Sequence, residues 1–314
     1  MKYIETLREG TGVNDIYLCK HKQAAVTKNG KVYENVILQD KTGTLDAKIW
    51  EPDSPGIDDF DVYDYVEVTG DVTSFNSSLQ LSIKRIRKVK EGEYNPKDYL
   101  PVSNKDIEVM YRELLEQSAK IQNPQILQLV NSFFVEDLDF VKRFKNHSAA
   151  KTVHHGFVGG LLEHTLSVVN LCDYYCKSYP LLNRDLLTAA AMFHDVGKIW
   201  EISSFPENDY TDDGQLLGHI VIATEIIGER IRMIPEFSPK VATELKHCIL
   251  AHHGELEYGS PKKPALIEAL ALSFADHTDA KMQTMIEVLE SNSQNEGWIG
   301  YNRFLESNIR KSSK

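Results

Sequence analysis

Hydrophobic and polar positions follow two different periods along this chain. Up to residue 90 the apolar residues come in short runs rich in Val, Ile, Leu and Tyr: GVNDIYLCKHKQAAV, KVYENVILQD, TGTLDAKIW, YVEVTGDVTSF and LQLSIKRIRKV. In the third run Leu45, Ala47 and Ile49 alternate with Asp46 and Lys48, the period of a half-buried strand. Turn residues separate the runs: Lys28-Asn29-Gly30, Asp40-Lys41-Thr42-Gly43, Pro52 to Gly56, and Asn76-Ser77-Ser78. Five short strands in about 80 residues predict a small barrel over residues 1–90. Residues 91–102, EGEYNPKDYLPV, combine Gly, two Pro and mixed charge and read as a linker. From Ser103 the period lengthens. Ser103 with Asp106 has the form of a capping box with Asp in place of Glu. Asn123-Pro124 reads as an N-cap followed by Pro at the first helical position. The spacing predicts helices over 104–120, 124–134, 137–146, 160–178, 184–198, 218–233, 239–252, 264–282 and 300–310. The expected fold is therefore multidomain: an all-β barrel, then an all-α bundle over 103–314. A polar loop, SFPENDYTDDGQ (204–215), interrupts the helices, and residues 283–314, with Trp298 and Tyr301, are expected to cap the helical core or to form an assembly surface.

Length and composition narrow the class. A chain of 314 residues has room for two domains, and 42% hydrophobic with 26% charged residues describes an ordinary folded protein. No apolar stretch approaches the roughly 18 residues of a membrane span, and MKYIETLREG lacks the apolar core of a signal peptide. Cys19, Cys172, Cys176 and Cys248 form neither a C-x-x-C pair nor a disulfide framework, so free thiols and a cytoplasmic location are expected. The net charge of −11 argues against coating nucleic acid by bulk electrostatics. It leaves room for a local basic patch, or for a site where cations supply the charge that phosphate demands.

The histidines change the picture further. Ten of the eleven lie between His147 and His277. In RDLLTAAAMFHDVGKIWEI, Leu186, Leu187, Ala190 and Phe193 recur at helical spacing and lead straight into the pair His194-Asp195. Burying an imidazole beside a carboxylate is costly unless both have partners. His164 sits on the apolar helix GGLLEHTLSVVNL, His219 opens another, His252-His253 close a third, and Asp276 lies on a fourth. Any one of them reads as a core residue with a partner. Together, His164, His194, Asp195 and Asp276 offer two imidazoles and two carboxylates from three helices, a set suited to Mn²⁺, Fe²⁺ or Zn²⁺. His219, His252 and His253 add three imidazoles, so a bridging Asp195 would place a second ion beside the first. His247 and His277 are expected off this face, and Asp279, one turn past Asp276, is an alternative to it.

The order H…HD…H…HH…D on helices, with the adjacent pair inside HD-x-G-K, resembles the HD-domain metal-dependent phosphohydrolases. His164, His194-Asp195 and Asp276 carry that resemblance, and His219 with His252 or His253 resembles the two-metal members. The segment VILQDKTGTLDAKIW resembles the second and third strands of nucleic-acid-binding OB-folds: an apolar strand, a D-x-T-G turn and a strand ending in Trp. With KTVHHGFVGGLLEHT (151–165) and a matching total length, almost the whole chain resembles the YhaM family of bacterial 3′-to-5′ exoribonucleases. The resemblance implies a manganese-stimulated enzyme, with Fe²⁺, Zn²⁺, Mg²⁺ or Co²⁺ as alternative ions, one or two per chain. Its substrate would be single-stranded RNA, or single-stranded DNA, shortened from the 3′ end. Metal ligands would be His164, His194, Asp195, His219, His252, His253 and Asp276. Asp195, Lys198 and His155 would be catalytic. Lys198 would contact the scissile phosphate or pair with a carboxylate; His155 would bind substrate, protonate the leaving oxygen or support a neighbour by hydrogen bonding. The roles of His154 and Lys151 stay open. In the barrel, Tyr33, Trp50 and Phe75 would stack bases and Lys84, Arg85, Arg87 and Lys88 would meet phosphates; the alternative is a core Trp50 and a solvated basic strand. No membrane partner is expected, and homo-oligomerisation stays open. Two competing readings are a phosphohydrolase of free nucleotides or cyclic dinucleotides, and a non-catalytic binding protein with a structural metal.

Overall fold

A computed structural model describes residues 1–76, 78–151 and 155–313; Ser77 of the expected turn, and His154, lie outside the described residues. The chain divides into two compact units, Met1–Pro101 and Val102–Lys314.

In the first unit, β1 (Gly12–Val26), β2 (Val32–Asp40), β3 (Gly43–Ile49), β4 (Tyr65–Phe75) and β5 (Ser78–Lys88) close into a barrel of order β1-β2-β3-β5-β4. All pairings are antiparallel except β3 with β5. This is the OB-like order. Alternation explains the packing: Val36 and Leu38, then Leu45, Ala47 and Ile49, then Val66 and Val68 all point inward and are buried. The long β1 serves two neighbours. Its first half pairs with β4 and its second with β2, the change coming near a bulge between Cys19 and His21. The D-x-T-G turn is tied by Asp40, whose Oδ1 accepts from Thr42 N at 2.7 Å and from Thr42 Oγ1 at 2.6 Å.

Of residues 91–102, expected as linker, 91–101 pack on the barrel instead. Tyr94 stacks on Tyr65 with ring centroids 3.7 Å apart. Tyr99 is buried, and its carbonyl accepts from Gln39 Nε2 at 3.0 Å. Two tyrosines and a leucine in this stretch carry too much apolar surface to leave in water.

In the second unit the helices are α1 (Ile107–Ser118), α2 (Pro124–Phe134), α3 (Leu138–Asn146), α4 (Gly160–Ser178) and α5 (Arg184–Phe193). They continue with the short α6 (Lys198–Glu201) and α7 (Asp212–Leu216), then α8 (His219–Met233), α9 (Pro239–Leu250) and α10 (Ile267–Ser291). The cap of α1 is Asp106, whose side chain accepts from Glu108 N and Val109 N, rather than Ser103. The Ser103 hydroxyl donates to Glu163 Oε2 at 2.6 Å. Asn123 caps α2 with Pro124 at the first helical position. Helix α5 is the core of the unit, with Leu186 through Phe193 all buried. The expected helix 184–198 breaks after Phe193, and residues 194–197 turn before α6.

The segment 300–310 is not a helix. It forms a hairpin of β6 (Trp298–Asn302) and β7 (Ser307–Arg310). Asn302 Oδ1 accepts from Phe304 N at 2.9 Å and Leu305 N at 3.1 Å, an Asx turn that competes with helix. Among the described residues no helix is long and apolar enough to cross a membrane.

Candidate active site

Five structural elements converge on one point. Helix α4 carries His164, and α5 runs beside it and leads into the turn that holds His194-Asp195. Helix α10 supplies Asp276 and Asp279, α8 begins with His219, and the turn after α9 holds His252 and His253.

Each inward-facing imidazole is fixed from behind through Nδ1. The partner is Asp279 Oδ2 for His164 (2.7 Å), Ala191 O for His194 (2.8 Å) and Glu201 Oε1 for His219 (2.9 Å). For His252 it is Ile249 O (2.7 Å), and for His253 it is Tyr258 O (2.9 Å). A carbonyl or carboxylate oxygen only accepts, so each Nδ1 carries the proton. Nε2 is then the ring nitrogen left to face the centre.

The Nε2 atoms surround Asp195. His164 Nε2 lies 3.1 Å from His194 Nε2, 3.3 Å from Asp195 Oδ2 and 3.2 Å from Asp276 Oδ1. On the other side, Asp195 Oδ1 is 3.5 Å from His219 Nε2 and 3.7 Å from His252 Nε2. His219, His252 and His253 bring ring nitrogens within 4.8 Å of one another, as do His164, His194 and Asp276 with their ligand atoms. Asp195 thus turns one oxygen toward each group.

These atoms lack ordinary partners. Asp195 Oδ1, His219 Nε2 and His252 Nε2 are buried and accept or donate no hydrogen bond, while Asp195 Oδ2 has the Lys198 ammonium at 2.7 Å. An orphaned buried polar atom costs about 1–3 kcal/mol, and three of them at one place call for a cation. The donor set, imidazole nitrogen with carboxylate oxygen, fits a divalent ion of the first transition row.

Electrostatics point the same way. Burial opposes a charge on His164, yet Asp195, Asp276 and Asp279 outweigh it and hold its pKa well above the ordinary value. Burial likewise opposes charge on Asp195, but Lys198 and the neighbouring imidazoles hold its carboxyl well below the usual range. The carboxylates demand positive charge at the cluster. His252 behaves oppositely: burial, then His253 and His194, push its pKa well below the ordinary value, so it stays a neutral donor.

Around this centre the remaining candidates separate. Lys198 Nζ sits 2.7 Å from Asp195 Oδ2. His155, 2% exposed and with φ +62°, places Nε2 2.9 Å from Asp279 Oδ2. His155, His164 and Asp279 also lie close enough together to bind an ion. Hydrogen bonds from both rings to Asp279 account for that trio without one. Asp276 therefore faces the centre while Asp279 stands behind His164. His247 Nε2 accepts from Ala265 N at 2.9 Å and is off the centre. His277 lies at the rim, its ring 6.4 Å from that of Tyr258. Lys151 pairs with Asp209 at 2.5 Å.

Sequence reasoning passed over Glu201. It is a buried acid in the apolar stretch KIWEI, which is itself a sign of a partner, and that partner is His219. Its carboxyl is held below the ordinary range: burial opposes this, but the His219 hydrogen bond prevails.

In the barrel, Tyr33 and Trp50 stack with centroids 5.2 Å apart, and Trp50 is 48% exposed, so it is not a core residue. Phe75 is exposed at the end of β4. The basic strand is mostly neutralised from β4 and its flanks. Lys84 pairs with Asp71, Lys88 with Asp64 at 2.7 Å, and Arg87 with Glu67 at 2.6 Å and Glu93 at 3.0 Å. Of those four expected phosphate contacts, Arg85 is the one without an ion pair among the described residues. The others are cross-strand or local pairs of the kind that stabilise sheets.

Comparison with known proteins adds three findings. The HD domain family model matches residues 161–281. Two curated relatives named 3′-5′ exoribonuclease YhaM are similar over most of the chain. The one from Geobacillus sp. (strain WCH70) is 36% identical over 88% of this chain and 85% of its own. The one from Bacillus subtilis (strain 168) is 35% identical over 90% of this chain and 88% of its own. Among solved structures, the second OB-fold domain of replication protein A from Methanococcus maripaludis is 19% identical, covering 30% of this chain and 98% of that one at a TM-score of 0.24. That likeness is too slight to add to the strand order above.

Proposed function

The chain belongs to the YhaM family of 3′-5′ exoribonucleases, and from that premise we propose that it removes nucleotides from the 3′ end of single-stranded RNA by metal-dependent hydrolysis. The observation that carries the reading is Asp195, buried with Oδ1 unpartnered and with one oxygen toward each of two imidazole groups. His164, His194, Asp195 and Asp276 would hold one divalent ion; Asp195, His219, His252 and His253 would hold another. Mn²⁺ suits this mixed nitrogen and oxygen set, as do Fe²⁺ and Zn²⁺. Such ions acidify water, neutralise the phosphodiester's non-bridging oxygens and favour in-line displacement.

The chain's own residues prepare that chemistry. Lys198 steadies Asp195 through Oδ2 and adds positive charge at the cleft where a phosphate would lie. Asp279 and Glu201 fix the tautomers of His164 and His219. His155 acts as a positioning residue: its Nε2 donates to Asp279, which orients His164. A proton-donor role suits it less, because Nε2 is engaged and Nδ1 is buried. Free thiols at Cys19, Cys172, Cys176 and Cys248 agree with work in the cytoplasm.

The test is incubation of the full chain with Mn²⁺ and 5′-labelled single-stranded RNA. A ladder of products shortening stepwise from the 3′ end, abolished by EDTA, is expected. Turnover of mononucleotides or cyclic dinucleotides alone, or binding without cleavage, refutes it; single-stranded DNA in parallel measures the sugar preference.

Asp279→Asn and Glu201→Gln each should weaken Mn²⁺ binding by roughly 10–100-fold. A titration of activity against Mn²⁺ checks this: the half-saturating concentration rises, and activity recovers at high Mn²⁺. In the barrel, Trp50→Ala should weaken RNA binding by about 1–3 kcal/mol through lost stacking, whereas Lys84→Ala should change it little. Fluorescence anisotropy with a catalytically silent background reads both, and equal losses would reverse the assignment.

A further inference from the structure

The cleft of about 540 Å³ that opens from the centre runs past His164, Lys198 and Asp276 to the C-terminal hairpin, where Arg303 and Phe304 line it. One face of α10 forms its floor, through Asp276, His277, Ala280, Lys281 and Thr284. The helix that gives Asp276 to the centre therefore also carries the far end of the cleft.

The hairpin is fastened to that helix at two places. Lys281 Nζ donates to Phe304 O at 2.8 Å. Lys311 Nζ donates to Asn292 O at 2.6 Å and Ser293 O at 2.8 Å, on carbonyls at the end of α10. Ile309 is buried and anchors β7. The turn is held at a fixed distance from Asp276 rather than hanging free.

What it presents to the cleft matches a nucleic-acid strand. The Arg303 guanidinium lies 4.8 Å from the Phe304 ring centre and has no ion pair among the described residues. Across the cleft, the rings of Tyr258 and His277 lie near parallel at 22°. Tyr258 is 62% exposed, Phe304 42%. Exposed rings beside an unpaired guanidinium are what bases and phosphates require. In a chain of net charge −11, the cations Lys198, Lys281 and Arg303 line one cleft, with Asp276 at the centre and Glu306 on the hairpin as its acids.

We propose that the C-terminal hairpin is the strand clamp of this enzyme: Arg303 holds a phosphate upstream of the scissile bond, and Phe304 and Tyr258 stack the adjoining bases. This rests on the nuclease reading above and adds a subsite to it. The clamp acts on substrates long enough to reach from the centre to the hairpin.

The test compares kcat/KM on a long oligoribonucleotide with that on a diribonucleotide, using full-length protein and Mn²⁺. In the wild type the long strand is favoured. In Arg303→Ala and in Phe304→Ala that preference should fall roughly 10-fold each, mainly through KM. Tyr258→Ala, on a separate element, should do the same and decides the matter if a hairpin variant does not fold. A preference unchanged in the folded variants, with a wild type that shortens the strand, overturns the clamp and leaves the nuclease reading standing. A wild type that shortens no strand sinks both.

Discussion

Asp195→Ala should abolish hydrolysis, lowering kcat by at least about 10³-fold, while the RNA binding proposed for the barrel should survive. The size follows from what the side chain touches. Its two oxygens face His164 and His194 on one side and His219 and His252 on the other. Removing it would take the shared ligand from both proposed ion sites, and it strips Lys198 of its partner. Several kcal/mol of charge stabilisation depend on the ions, and each 1.36 kcal/mol is a factor of ten. Single-turnover cleavage of labelled RNA, elemental analysis of bound metal and anisotropy with intact RNA together check it. Cleavage at the wild-type rate would remove Asp195 from the chemistry. Asp195 lies outside the barrel, so lost strand binding in a folded variant would relocate the RNA grip.

Gly197→Ala is the second large effect, and it needs no change of charge. A Cβ on Gly197 would stand 2.0 Å from His219 O and 2.8 Å from His219 C. Gly197 has φ −60°, so its backbone conformation suits any residue. The constraint is the close approach of α8's first residue to the turn after Asp195. Alanine must push His219 away from Asp195 Oδ1 and Glu201. A displacement of this order costs about 10²-fold in rate, with about 1–3 kcal/mol of overpacking. Activity assays and thermal melts read the two consequences separately. Unaltered rate and Tm would mean that α8 yields at no cost.

Much of this was legible because the informative patterns are local. Strict alternation marks the barrel strands, since one face of each is buried. The apolar phase of α5 delivers His194-Asp195 to the interior, and the same phase logic places His164 on α4. What escaped is set by tertiary neighbours. The basic residues of β5 look like phosphate contacts until β4 supplies Asp71 and Glu67 across the sheet. Asp276 and Asp279 share one helical face in sequence, and only His164, lying between them, sends one inward and the other behind. The hairpin was hidden because Tyr301, Leu305 and Ile309 repeat at helical spacing. The side chain of Asn302 decides against that period.

The fixing of every inward ring through Nδ1 has a consequence for the protein stripped of ions. Those side chains have already surrendered their torsional freedom to backbone and carboxylate oxygens when the chain folds. An arriving ion would therefore meet an assembled cage and have little entropy to overcome. Dialysis of the Mn²⁺-loaded protein against a chelator should leave such a cage folded, and returning Mn²⁺ should restore activity without a refolding lag.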